Sequence, residues 1–105
     1  MQLLVIKSTG AREPYSREKL RNGVASACSK TMVTAEDIDS LVDSVENELA
    51  AAGRREVLSS ELGDLALIRL RKLNEVAYVR FASVYRAFQS IDDFIVELNG
   101  LRSRV

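Results

Sequence analysis

The side chains best placed for chemistry lie between Val5 and Leu20, which read V-I-K-S-T-G-A-R-E-P-Y-S-R-E-K-L. Lys7 closes a short apolar run, and Ser16 offers an N-cap hydroxyl to a helix whose first turn carries Lys19. The first turn of a helix has unpaired backbone N–H groups and partial positive charge, a combination that suits phosphate. The Lys19 ammonium reaches the anion those N–H groups face, and Lys7 at the end of its strand projects toward the same place. Arg12 and Arg17 are further cations, but spacing alone does not set their direction. The chain contains neither G-x-x-x-x-G-K-[ST] nor G-x-G-x-x-G, so neither standard phosphate loop supplies the donors.

Composition removes most other chemistries. With one cysteine and no histidine, the chain cannot form a Cys/His zinc site, a Ser-His-Asp triad or a Cys-His dyad. No nucleophile or general base has a recognisable partner, so we expect neither catalytic residues nor a metal site. Cys28 falls on the apolar face of a helix and reads as a small hydrophobe. Net charge is zero, against the uniformly basic surface of a stand-alone nucleic-acid binder. Yet residues 1–30 carry six Lys/Arg against two Glu, and residues 31–50 carry six Asp/Glu and no base. A local anion site and a solvated charged face both fit that split. No apolar run approaches the roughly 20 residues that span a bilayer, and the N-terminus lacks signal-peptide order, so a cytoplasmic location is expected.

The elements that must position the lysines follow from pattern. Leu3 to Lys7 and Arg12 to Tyr15 flank the turn residues Ser8, Thr9 and Gly10, which predicts a β-hairpin with Pro14 on an edge. Ser16 caps a first helix to about Lys30, in which Gly23 is unfavourable unless something approaches closely there. Thr34 and Asp37 start a second helix whose stripe from Ile38 to Ala52 ends at Gly53. Arg55 to Leu58 is a third strand. Ser59 or Ser60 caps a third helix reaching Leu73. Asn74 opens a fourth with Ala77, Phe81, Val84 and Phe88 on one stripe. Ser90 and Asp93 start a fifth, lined by Ile91, Phe94, Ile95, Leu98 and Leu101, before Gly100 and a basic tail. The sum is one α+β domain over residues 1–105, mostly helical, lidded by a small sheet.

The order V-I-K, turn with glycine, R-E-P-Y, S-R-E-K-L resembles the opening of the ATP-cone, the nucleotide-sensing domain found at the N-terminus of many ribonucleotide reductases. The run V-A-Y-V-R-F-A-S-V-Y-R-A-F, from Val76 to Phe88, is similar to a narrower group, the ATP-cone of the NrdR-type repressors of ribonucleotide reductase genes. Reductase cones do not generally carry it, and the likeness runs from Leu4 to Leu101.

That resemblance implies a bundle of four to five helices covered by a three-stranded mixed sheet, with ATP or dATP bound between them, Mg2+ alongside. It places Lys7 and Lys19 at phosphates, Val5 and Ile6 where the first strand touches the nucleotide, and Glu13 near the base. Ser59 would supply a hydroxyl at the third helix and Tyr85 an aromatic ring beside the ligand. It implies a non-catalytic homo-oligomer in which dATP favours an operator-binding assembly and ATP a larger, non-binding one. DNA is then met only through a zinc ribbon of paired C-x-x-C motifs, which these residues lack along with its zinc. The alternatives are a free-standing cone, or a helical oligomerisation module that no longer binds nucleotide. The family usually has arginine directly after the strand lysine; Ser8 stands there instead and removes a bidentate phosphate donor.

Overall fold

A computed structural model describes residues 2–103; Met1 and the end of the basic tail, Arg104 and Val105, lie outside the described residues. Among the described residues three strands and five helices follow in the order β1 (Leu4–Ile6), β2 (Arg12–Pro14), α1 (Arg17–Cys28), α2 (Ala35–Ala51), β3 (Glu56–Leu58), α3 (Ser59–Leu73), α4 (Glu75–Tyr85) and α5 (Ile91–Ser103). The sheet order is β2-β1-β3, with β1 antiparallel to β2 and parallel to β3. The fold is therefore α+β, with a small mixed sheet on a helical bundle.

The hairpin closes as its residues dictate. Gly10 takes φ 88°, a conformation costly for other residues, and its N–H donates to the Lys7 carbonyl at 2.8 Å. Pro14, which has no N–H, sits on the edge strand. The parallel β1–β3 pairing needs a long crossover, and α1 and α2 provide it. Val5 pairs with Glu13 on one side and Val57 on the other, so these three side chains form one row across the sheet. Val5 and Val57 are buried, which turns that row toward the helices.

The helices depart from their expected bounds in four places. α1 stops at Cys28 rather than near Lys30, because Lys30 takes φ 61° and both the N–H and the hydroxyl of Thr31 bond the Cys28 carbonyl, at 3.0 and 2.6 Å. Neither Ser59 nor Ser60 caps α3. The extended backbone of β3 runs straight into the helix, the N-cap position falls on Leu58, and the Leu58 N–H donates to the Glu61 carboxylate at 3.1 Å. α4 ends at Tyr85, before Phe88, as Ala87 takes φ 51°. Its buried face is Ala77, Tyr78 and Ala82, leaving Val84 exposed instead of on the core stripe. Gly100 lies inside α5 rather than ending it.

α2 behaves as its pattern predicts except at its end, where Ala52 is an exposed C-cap and not part of the buried stripe. Thr34 and Asp37 form a reciprocal capping box, and Ile38, Leu41, Val42, Val45 and Leu49 are buried. They share one core with Val24 of α1, Val57 of β3, and Ala66, Leu67 and Leu70 of α3. Cys28 joins this core as a buried hydrophobe, and burial pushes its thiol upward. No described helix is long and apolar enough to cross a membrane.

Candidate functional site

A cavity of about 250 Å³ opens where the sheet row meets α1, α3 and α4. Val5 forms its ceiling, while Leu20 and Gly23 of α1, Leu62 and Gly63 of α3, and Phe81 and Tyr85 of α4 form an apolar floor and wall. Glu13, Ser16, Lys19 and Ser59 supply the polar groups at its edge. The position of Lys19 follows from local rules: the Ser16 hydroxyl accepts the Lys19 N–H at 3.2 Å, which fixes the first turn of α1 beside the hairpin.

The electrostatics of the edge centre on Glu13. Its Oε2 lies 3.3 Å from the Lys7 Nζ and 3.7 Å from the Lys19 Nζ. A strand end and a helix start thus bring two ammonium groups to one carboxylate oxygen. Both lysines remain half or more exposed, at 50% and 73% of their side-chain surface, so this cluster is open to water and to exchange of its anion.

The arginines go elsewhere. Arg12 bonds Glu56 at 2.6 Å across β1, on the sheet face away from the helices. Arg17 reaches Asp43 at 2.8 Å and also bonds Glu46, while Arg21 bonds Asp39 at 2.7 Å. The basic N-terminal segment and the acidic α2 segment therefore neutralise each other along the α1–α2 contact, and this pairing accounts for part of the charge split. Tyr15 lies in the same contact, its hydroxyl donating to Glu46 at 2.7 Å; burial, then that bond, pushes it well above the ordinary tyrosine range.

Tyr85 forms the wall on the α4 side. Its hydroxyl donates to the Ser59 carbonyl at 2.8 Å, and its ring stacks on Phe81 with centroids 5.8 Å apart. Burial, reinforced by the charge of Asp64, raises the Tyr85 hydroxyl from its ordinary value. The ring lies so close to α3 that a Cβ at position 63 would sit 1.9 Å from its Cζ. Glycine is required at 63 for that approach.

A profile of the ATP cone domain matches residues 3–91. The chain belongs to the ATP-cone family. Similar curated proteins carry the name transcriptional repressor NrdR. That of Thermosynechococcus vestitus is 54% identical over 100 residues, covering 95% of this chain and 62% of the relative. Those of Lactobacillus delbrueckii subsp. bulgaricus and Sorangium cellulosum are 47% and 50% identical, covering 97% and 92% of this chain. This ATP-cone spans 66% and 63% of those two relatives, so less than two thirds of each relative is represented here. These relatives are named as repressors and not as enzymes.

Within this ATP-cone, Val5, Glu13, Lys19, Ser59 and Tyr85 line one cavity. Lys7 reaches that cavity's edge through Glu13, and Ile6, alternating with Val5, points to the other face of the strand. The Ser59 group bonded by Tyr85 is its backbone carbonyl. Sequence reasoning missed Leu62, Gly63 and Phe81. A glycine inside an otherwise leucine-rich helix is the available signal for Gly63, because it costs about 1 kcal/mol relative to alanine unless a neighbour needs the space. The same argument at Gly23 leads to Phe81, whose Cε1 lies 3.6 Å from where a Cβ would stand.

Proposed function

We propose that this ATP-cone senses ATP and dATP for a transcriptional repressor of ribonucleotide reductase genes. The observation that carries the reading is the convergence of Lys7 and Lys19 on one carboxylate oxygen at the mouth of an apolar cavity. Phosphate replaces Glu13 as the partner of both ammonium groups, helped by the N–H groups opening α1. The apolar part of the nucleotide lies toward Val5, Phe81 and Tyr85, with Ile6 contributing backbone, Glu13 released toward the base and Ser59 offering its hydroxyl. Mg2+ accompanies the triphosphate. Ser8, exposed in the hairpin turn, leaves phosphate recognition to the two lysines.

ATP and dATP differ by one hydroxyl, and a site discriminates them by pairing or excluding that group. A switch follows when each nucleotide favours a different homo-oligomeric arrangement, since a ligand shifts an equilibrium only by its differential affinity. The domain itself is non-catalytic and cytoplasmic, and operator DNA is contacted by a zinc ribbon elsewhere in the full-length repressor. The exposed apolar residues of α5 favour one second reading, an oligomerisation module without nucleotide. Calorimetry separates the two. ATP and dATP bind the wild type, and Lys7→Ala/Lys19→Ala loses at least tenfold in affinity; no heat at millimolar nucleotide, or equal binding by the double variant, rejects the sensor reading.

A further inference from the structure

At about 250 Å³ the cavity lies just below the roughly 300–1,000 Å³ of small-molecule sites, so a nucleotide whose base enters it while its phosphates stay at the open lysine edge presses on its walls. Val5 and Val57 belong to paired strands and are packed into the core, which makes the sheet a stiff wall. The Tyr85 ring is held by its hydroxyl, which donates to the Ser59 carbonyl and meets the Gly63 backbone, and by one aromatic stack, and Gly63 gives it no room to retreat toward α3. Widening therefore lifts Tyr85 away from Ser59.

The next residue along the chain faces another way. Arg86 is the C-cap of α4, and its guanidinium bonds Glu97 of α5 at 2.6 Å and comes within 3.9 Å of Asp64, the neighbour of Gly63. Tyr78 donates to the same Glu97 at 2.7 Å. Glu97 is thus the polar anchor of α5, a helix with exposed Ile91, Ile95, Val96 and Leu98. Residues 63 and 85 meet at the cavity, while residues 64 and 86 meet on the α5 side.

We propose that Tyr85 and Arg86 form a two-sided joint through which entry of a ligand into the cavity alters the seating of α5. Lifting the Tyr85 ring turns the last residues of α4, and that turn displaces Arg86 from Glu97. The joint rests on the nucleotide reading for its ligand only; its geometry is independent of it.

Hydrogen exchange of the α5 amides, measured in the wild type with and without saturating ATP and in Gly63→Ala and Tyr85→Phe without nucleotide, tests the joint. ATP changes α5 exchange by about fivefold or more beyond the slowing that ligand binding gives the core amides of α2, the lower end of typical coupling between sites. Gly63→Ala, which forces the ring away, and Tyr85→Phe, which frees it from Ser59 without adding bulk, change α5 in the absence of any nucleotide. Glu97→Gln, outside the cavity, shifts ATP affinity by a comparable factor through reciprocity. Unchanged α5 exchange in ATP-bound wild type and in both variants overturns the joint. If the wild type binds no ATP, the nucleotide reading falls and the two variants alone decide: altered α5 exchange upholds the joint, unaltered exchange overturns it.

Discussion

α2 and α5 carry the same kind of apolar stripe and meet opposite fates. In α2, Val42 and Val45 have no exposed surface and every stripe residue from Ile38 to Leu49 is buried in the core it shares with α1 and α3, with only the C-cap Ala52 exposed. In α5, Ile91, Ile95 and Leu98 are 77%, 46% and 44% exposed, and only Leu101 among the stripe is buried. Helical periodicity states that a face is available for burial; it does not state that the same chain buries it. What separates the two helices is position in the topology. α2 lies inside the crossover between two strands of one sheet, so it must pack under them, whereas α5 follows the last strand and packs on α4 with its Glu97 and Leu101.

The sharpest way to break this contrast is to truncate one side chain on each side of it. Leu41→Ala in α2, at a site only 5% exposed, costs about 2–5 kcal/mol of unfolding free energy. Ile91→Ala in α5, 77% exposed, stays within about 0.5 kcal/mol, as surface substitutions do. Urea denaturation of both variants gives the comparison directly, and equal losses would show that α5 belongs to the cooperative core.

Two glycines inside helices sharpen it next, because both lie in the packed half and respond with opposite sign. Gly63→Ala drives a Cβ into the Tyr85 ring and costs about 1–3 kcal/mol through overpacking, less the helix-propensity gain. Gly23→Ala places its Cβ at ordinary contact with Phe81 and gains about 0.5–1 kcal/mol. Thermal melts that move in the same direction for both would mean that Tyr85 yields freely and that its wall is soft.

Much of the packed half was legible in the sequence, for physical reasons. The hairpin has its glycine and its edge proline, Ser16 and Thr34 are local caps, and the α2 stripe has one unambiguous phase. α4 was harder to phase because apolar residues surround it: Ala77, Tyr78, Phe81, Ala82, Val84 and Tyr85 admit several stripes, and only the close packing of the two alanines selects one. The serines before α3 have cap chemistry, yet a strand that enters a helix without a turn leaves the cap position on Leu58. At the site, Lys7 and Lys19 were readable from their places at element ends. At Gly63 and Gly23 the sequence signals only that something approaches the helix, and which ring does so, Tyr85 or Phe81, depends on partners far away in the chain. The direction of Arg12 and Arg17 likewise depends on register and on the α1–α2 packing, which spacing does not contain.

The caps give a smaller test of the same contrast. Thr34→Ala removes the capping box of α2 and costs about 1 kcal/mol in global stability. Ser90 and Asp93 make the equivalent pair of bonds before α5, where the Asp93 N–H donates to the Ser90 hydroxyl and Asp93 accepts from the N–H of Gln89. Ser90→Ala removes one of them, but α5 opens locally at low cost, so its effect appears as faster amide exchange in α5 and not in the global melt.

The smallest effect concerns acid and the junction of β3 with α3, which fixes Ser59 at the cavity. Arg54, bonded at 2.9 Å, and then the Leu58 N–H hold the Glu61 carboxylate below its ordinary value of 4.5. A carboxylate whose folded value is depressed contributes stability that is present above the unfolded value and disappears as pH falls through the folded one. The contribution is modest because the pair is solvent-exposed and screened. Wild-type stability therefore declines as pH drops below about 4.5, while Glu61→Gln, which keeps an acceptor but cannot titrate, declines less steeply over the same interval. Unfolding free energies measured between neutral pH and the acid limb decide it. Parallel curves would mean that the β3–α3 junction is held by backbone pairing alone, and the packed half would then owe its firmness to apolar burial without help from this ion pair.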